Sequence, residues 1–113
     1  NFLQGATANT GITVGALGGS QVYSQAHGLG GTPKLVRVVA ICATIDNGYA
    51  VGDELDIHSI RDAGNVSAGV CADATNITVL LSSAAGNSIP NKGTGVYAGM
   101  TEANWNLKIY AWK

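Results

Sequence analysis

A chain of 113 residues holds one domain with room for a single, modest core. Only 12% of it is charged, about half the usual quarter, while 46% is hydrophobic and 16 residues are glycine. A net charge of −1 with scattered basic residues excludes nucleic-acid binding by phosphate neutralisation, and no apolar run reaches the length of a membrane-spanning helix. Such sparse polar surface is expected to leave part of the chain buried against copies of itself. The start carries no basic segment followed by an apolar one, so no signal peptide is read there. Opening on Asn1-Phe2-Leu3 without an initiator Met, the sequence is expected to be a processed product or the C-terminal piece of something longer.

Residues 1–10 are small and polar with few anchors, and are expected to form a linker or an arm docked on a neighbour. Strands are predicted over 12–17, which alternates, and over 20–27, with Gly18-Gly19 as the turn between them. In the second strand Val22, Ser24 and Ala26 share one face and Tyr23, Gln25 and His27 the other. The turn His27-Gly28-Leu29-Gly30-Gly31-Thr32-Pro33 supplies positive φ and a residue without an N–H, suited to a strand's first position. The most apolar stretch follows, a predicted central strand over 34–45. Leu35, Val39, Ile41, Ala43 and Ile45 lie on one face and Val36, Val38, Ala40 and Cys42 on the other. Both faces read as dry for most of their length, whereas a strand of an antiparallel sandwich normally has one wet face. The second face is therefore expected to meet another subunit.

Asp46-Asn47-Gly48 is a strong turn signal, and 49–53 reads as a loop. A strand over 54–60 is expected to turn Leu55 and Ile57 inward, with Ser59 in the same register. After a turn at 61–65, strands are predicted over 66–72 and 75–82, with Ile77, Val79 and Leu81 inward. The stretch 83–95 reads as the longest loop, and long loops in compact domains tend to be functional. The last strand, 105–113, places Trp105, Leu107, Ile109 and Ala111 on one face and Tyr110 and Trp112 on the other. Nothing has helical periodicity. Short strands with turn signals spaced about 8 to 12 residues apart point to an all-β antiparallel β-sandwich, a single domain over 11–113.

Candidate chemistry is sparse. His27 meets the glycine turn without a nucleophile or carboxylate partner in the pattern, so it is expected to tie the turn to a neighbouring carbonyl. Asp46, Asn47, Asp53, Glu54 and Asp56 crowd one hairpin with oxygen ligands that suit calcium. Their spacing misses an EF-hand loop, and a tight turn is the preferred reading. His58, with Glu54 and Asp56, reads as a solvated stripe. Asn65-Val66-Ser67 and Asn76-Ile77-Thr78 match the glycosylation triplet, which carries meaning only on a eukaryotic secretory route. Cys42 and Cys71 fit no zinc spacing and are expected as free buried thiols, with a disulfide the alternative. No Ser-His-Asp order, Gly-x-Ser-x-Gly elbow or phosphate-binding glycine loop is present, and no paired carboxylates suggest a glycan depolymerase. No enzyme, metal or cofactor is expected. Binding is expected through the loops 46–53 and 83–98, with Asn47, Tyr49, Asp53, Asn87, Asn91 and Tyr97 as contact residues. Tyr49 and Tyr97 are the favoured aromatics, because tyrosine is enriched where a surface meets a protein or a sugar.

The order His27-Gly28-Leu29-Gly30-x-x-Pro33, apolar strand, Tyr49-x-x-Gly52-Asp53-Glu54, Thr75-Asn76-Ile77-Thr78 and Trp105-x-Leu107-x-Ile109-x-Ala111 resembles small C-terminal domains of bacteriophage virion proteins. These are tail-fibre tips and head-fibre or decoration knobs, and the resemblance covers 11–113. A weaker likeness is to the H-type lectin sandwich, through a Pro before an apolar strand and a closing Trp-x-Ala strand. The 83–95 loop departs from the lectin pattern, and no sugar-binding residue is carried over. The resemblance implies a non-enzymatic homotrimer in a virion, attaching to a host surface glycan or protein. The alternatives are a capsid decoration knob without a receptor and a free-standing lectin.

Overall fold

The computed structural model describes residues 11–113. The expected arm or linker, 1–10, lies outside the described residues. Within them the chain is all-β, with eleven strands and two short 3-10 turns. In chain order the strands are β1 (Ile12–Ala16), β2 (Val22–Ala26), β3 (Leu35–Cys42), β4 (Glu54–Asp56), β5 (Arg61–Asp62), β6 (Asn65–Val66), β7 (Ala68–Ala72), β8 (Asn76–Leu81), β9 (Asn87–Pro90), β10 (Tyr97–Gly99) and β11 (Trp105–Trp112). They form three antiparallel sheets, in the orders β1-β11-β3-β4, β10-β9-β5-β6 and β2-β8-β7. This arrangement is compatible with the expected β-sandwich.

The core follows from alternation on β11. Trp105, Leu107, Ile109 and Ala111 all face inward and are at most 1% exposed. Their register partners on β3 are Cys42, Ala40, Val38 and Val36. Large side chains on one strand thus sit beside small ones on the next, which lets the two strands share one packed layer. Ile77, Val79 and Leu81 of β8, Ile89 of β9, and Ile57 and Ile60 close the same core.

Several strand expectations change. The predicted turn 61–65 holds β5 and opens β6, and the predicted 66–72 strand is divided at Ser67 between β6 and β7. The predicted 34–45 strand ends at Cys42, because the Ala43 and Thr44 N–H groups both turn to the Asn104 carbonyl. The predicted 54–60 strand stops at Asp56, whose carboxylate accepts the His58 N–H and caps a 3-10 turn over Ile57–Ser59. Near three residues per turn, Ile57 and Ile60 point the same way, so Ile60 rather than Ser59 enters the core. The predicted loop 83–95 contains β9, which pairs with both β10 and β5. Asn-Ser-Ile-Pro has little strand propensity of its own; pairing on both sides holds it extended.

The glycine turn behaves as expected. His27 is 5% exposed, its Nδ1 accepts the Leu29 N–H at 3.1 Å, and its Nε2 lies 2.9 Å from the Asp73 carbonyl. Those partners require the neutral ring with its proton on Nε2, donating to Asp73. Both cysteines are free; Cys42 is buried as expected, but Cys71 is exposed on β7. Burial pushes the Cys42 thiol above its ordinary pKa.

The outer face of β3 is not bare. Val39 is 0% exposed although it faces away from the main core. On that face Tyr110 of β11 pairs in register with Arg37, and Glu54 of β4 pairs with Ile41. The Tyr110 hydroxyl nonetheless donates to Glu54 Oε2 at 2.5 Å, a line that crosses the Val39 position between them. Arg37 bonds the other Glu54 oxygen at 3.2 Å, and Lys108 Nζ lies 3.7 Å from Oε2. Arg37 and Lys108 also flank the Tyr110 ring, 5.8 and 5.1 Å from its centroid, and Trp112 lies parallel to it at 6.3 Å. Gly11 crosses here with φ +93°, where a Cβ would fall 2.6 Å from Lys108 Cε. Aromatic and charged side chains of the same chain thus cover this face, so it no longer gives a reason for a trimer.

Candidate functional site

Two segments far apart in sequence, 46–53 and 90–99, are fastened together at one end of the molecule. The first is shaped by Asn47 and Gly48, at φ 48° and 82°, with the Tyr49 N–H donating to the Asp46 carbonyl at 2.9 Å. Two successive positive φ values make the tight turn that Asn-Gly favours. The second is the connection between β9 and β10. Asn91 organises it by accepting the Gly93 and Thr94 N–H groups on Oδ1, at 2.8 and 3.1 Å.

The two segments meet through both backbone and side chains. Asn47 donates from Nδ2 to the Gly99 carbonyl at 3.0 Å, and the Lys92 N–H returns to the Asn47 carbonyl at 3.0 Å. Lys92 Nζ bonds Asp53 Oδ2 at 2.6 Å, and the same oxygen accepts the Ala50 N–H. Lys92, and after it the Ala50 N–H, holds the Asp53 carboxyl below the usual carboxylate range. Beneath this surface the Tyr49 hydroxyl donates to the Pro90 carbonyl at 2.7 Å, and its ring meets Trp105 edge-on at 5.2 Å. Asp46 anchors the floor by accepting both the Trp105 Nε1–H and the Thr101 N–H on Oδ2, at 3.0 and 2.9 Å.

The predicted contact residues therefore separate. Asn47, Asp53, Asn91 and Tyr97 come together at this end; Tyr97 is 44% exposed and bonds the Ser59 carbonyl through its hydroxyl. Tyr49 is in the same place but buried, a pillar between the segments rather than a contact residue. Asn87 is 2% exposed at the far end of β9. Its Oδ1 accepts the Ser67 hydroxyl, and its Nδ2 donates to the Ser83 carbonyl and to Glu102. Both owe their positions to packing, and neither presents a group to a ligand.

The sequence reading missed the apolar part of this surface. Ile45, Val51 and Val96 are 70, 66 and 67% exposed on or beside these two segments. The available signal was position: Val51 and Val96 each sit beside a turn glycine, Gly52 and Gly95, at φ +94° and +74°. A turn apex of that kind gives a side chain nothing to bury against.

The carboxylates that suggested calcium are dispersed. Asp46 serves the floor, Asp53 serves Lys92, Glu54 lies on the outer sheet face, and Asp56 caps the 3-10 turn. Among the described residues no three His, Cys, Asp or Glu side chains gather as a metal site, and no pocket opens. These segments carry exposed aliphatic side chains at Ile45, Val51 and Val96 beside the amides of Asn47 and Asn91. Comparisons with protein-family models, with curated proteins and with solved structures each returned no match.

Proposed function

We propose that this chain is a recognition domain of the phage fibre or knob kind, attaching to a host surface through the 45–53 and 91–97 segments. One observation carries the reading. Three aliphatic side chains, each about two-thirds exposed, stand on loops otherwise tied down by directed hydrogen bonds. Exposed apolar groups held in fixed positions are costly to a free domain and useful to a binding one. The resemblance of the motif order to virion C-terminal domains supplies the setting. The contact is with a protein more than a glycan, because sugars are usually received on several aromatic faces, whereas the exposed apolar groups of these segments are aliphatic apart from Tyr97.

The test is binding of the labelled chain to bacterial envelope fractions, before and after protease or periodate treatment. Wild-type chain is expected to bind saturably to a protease-sensitive component. Val51→Asp with Val96→Asp is expected to weaken binding by about tenfold or more with an unchanged melting temperature. Equal binding by the double variant would end the proposal. Loss on periodate alone would move the contact to a glycan, and absence of binding to any envelope would favour a decoration knob.

A further inference from the structure

The geometry points to a second, separate interface: the free edge of β7 pairs antiparallel with the same edge of a second copy of this chain. The sheet β2-β8-β7 has two edges, and they are treated differently. Hydrogen-bonded pairs between β2 and β8 fall on the odd residues of β2, since Leu81 donates to Gln21 and His27 donates to Thr75. Val22, Ser24 and Ala26 therefore point their backbone groups outward. Two of these three are blocked locally. Ser20 Oγ accepts the Val22 N–H and donates to the Val22 carbonyl, and Gln25 Nε2 donates to the Ala26 carbonyl.

On β7 the same reasoning gives the opposite result. Ser82 donates to Ser67 and Asp73 donates to Asn76, so the odd residues face β8 and Ala68, Val70 and Ala72 face outward. Ala68 is 7% exposed at the end where the Ile57–Ser59 turn packs against the strand. Among the described residues, no hydrogen bond uses the outward N–H and C=O groups of Val70 or Ala72. The strand reads Ala-Gly-Val-Cys-Ala, without the charge, proline or bulge that normally protects an edge.

A second copy fits this edge about a two-fold axis at Cys71. Val70 of each chain then faces Ala72 of the other, and these four residues exchange four backbone hydrogen bonds. Cys71, which is exposed, faces its own counterpart in a non-hydrogen-bonded pair. Asp73 would face Gly69, which has open space above it, while its carboxylate stays folded onto the Thr75 and Asn76 N–H groups. No like charges meet across the axis, and every side chain on it is small. Neither β7 nor its outer face takes part in the loop surface, so failure of one proposal leaves the other standing.

The mass of the intact chain, followed by sedimentation through the micromolar to millimolar range, is expected to rise from one copy towards two. Ala72→Pro removes an N–H that β8 does not use, and Cys71→Lys places two ammonium groups opposite each other. Each is expected to weaken association by about tenfold or more; the exposed lysine variant keeps the test valid should the proline variant misfold. Diamide, an azo oxidant, takes two hydrogens and two electrons from a thiol pair and is expected to give a covalent dimer through Cys71, leaving buried Cys42 reduced. A chain that stays monomeric throughout, a trimer, or a dimer indifferent to both substitutions would overturn the assignment.

Discussion

Asn87 and Glu54 each gather three side-chain or carbonyl partners, yet they stand in opposite surroundings. Asn87 is 2% exposed and holds Ser67, Ser83 and Glu102 inside the fold. The Glu54 side chain is 25% exposed and collects Arg37, Lys108 and Tyr110 on the outer sheet face. The Asn87 bonds run from 2.9 to 3.1 Å and the Glu54 contacts from 2.5 to 3.7 Å, so length does not rank the two groups. What differs is the alternative open to each partner when the bond is broken: for buried Ser67 a long contact to Ser82 Oγ at 3.4 Å, for half-buried Glu102 the Asn87 backbone N–H it already accepts, but water for Arg37 and Lys108. A polar contact is worth what its loss leaves unpaired. Substitution should therefore cost far more at Asn87 than at Glu54.

Asn87→Ala is expected to have the largest effect. It leaves the Ser67 hydroxyl with only the long contact to Ser82 Oγ, and takes the amide donor from the Ser83 carbonyl and from Glu102, for about 3 kcal/mol of lost stability. Urea unfolding should show a lower midpoint with an unchanged slope. A loss below about 1 kcal/mol would mean that water reaches this site and that the contrast with Glu54 is false.

Glu54→Gln should cost about 1 kcal/mol at neutral pH, because its partners can rehydrate. It carries a second, sharper signature. The Tyr110 hydroxyl, followed by Lys108 and Arg37, holds the Glu54 carboxyl below its ordinary value of 4.5. As pH falls, the unfolded chain takes up this proton before the folded one does. Stability from Glu54 is therefore complete above that value and is lost as pH drops through the lowered one. The variant should shallow the acid limb of stability below pH 4.5. Asp53 and Asp73, also held low, leave part of the slope in place. Tyr110→Phe should move the limb in the same direction by a smaller amount; an acid limb unchanged in both variants would show that the outer cluster does not hold in solution.

The inner half of this comparison was easier to read from sequence than the outer half. Trp105, Leu107, Ile109 and Ala111 announce their face because a strand's side chains alternate whatever its neighbours are. His27 was legible as a turn tie because its own segment supplies the glycine turn, and the Asp46-Asn47-Gly48 turn is written in three adjacent residues. Covering of the outer face depends on Tyr110 reaching Glu54, 56 positions away, and no local pattern encodes that reach. β9 was hidden for the same reason, since Asn-Ser-Ile-Pro is a strand only by virtue of what lies on both sides. At the loop end Asn47, Asp53, Asn91 and Tyr97 were legible as turn and loop residues. Their joining, through Lys92 and the Gly99 carbonyl, was not. Sequence alone also could not distinguish Tyr49 and Asn87 from their exposed neighbours, because polar residues in apparent loops look alike until the partners that bury them are placed.

The smallest effect is expected at the most exposed of these contacts, and it tests the comparison from the other side. Lys92 and Asp53 make the shortest ion pair in the described structure, 2.6 Å, with the lysine side chain 52% exposed. If bond length decided the cost, Lys92→Ala should be severe. If the alternative offered by solvent decides it, the melting temperature should fall only slightly, because the Asp53 carboxylate left behind is taken up by water. The change should appear instead in the titration of Asp53, followed by carboxyl carbon NMR. Its midpoint should move up towards the ordinary range without reaching it, since the Ala50 N–H still donates to the same oxygen. A melting loss as large as that of Asn87→Ala would show that this loop end carries stability that its exposure does not suggest.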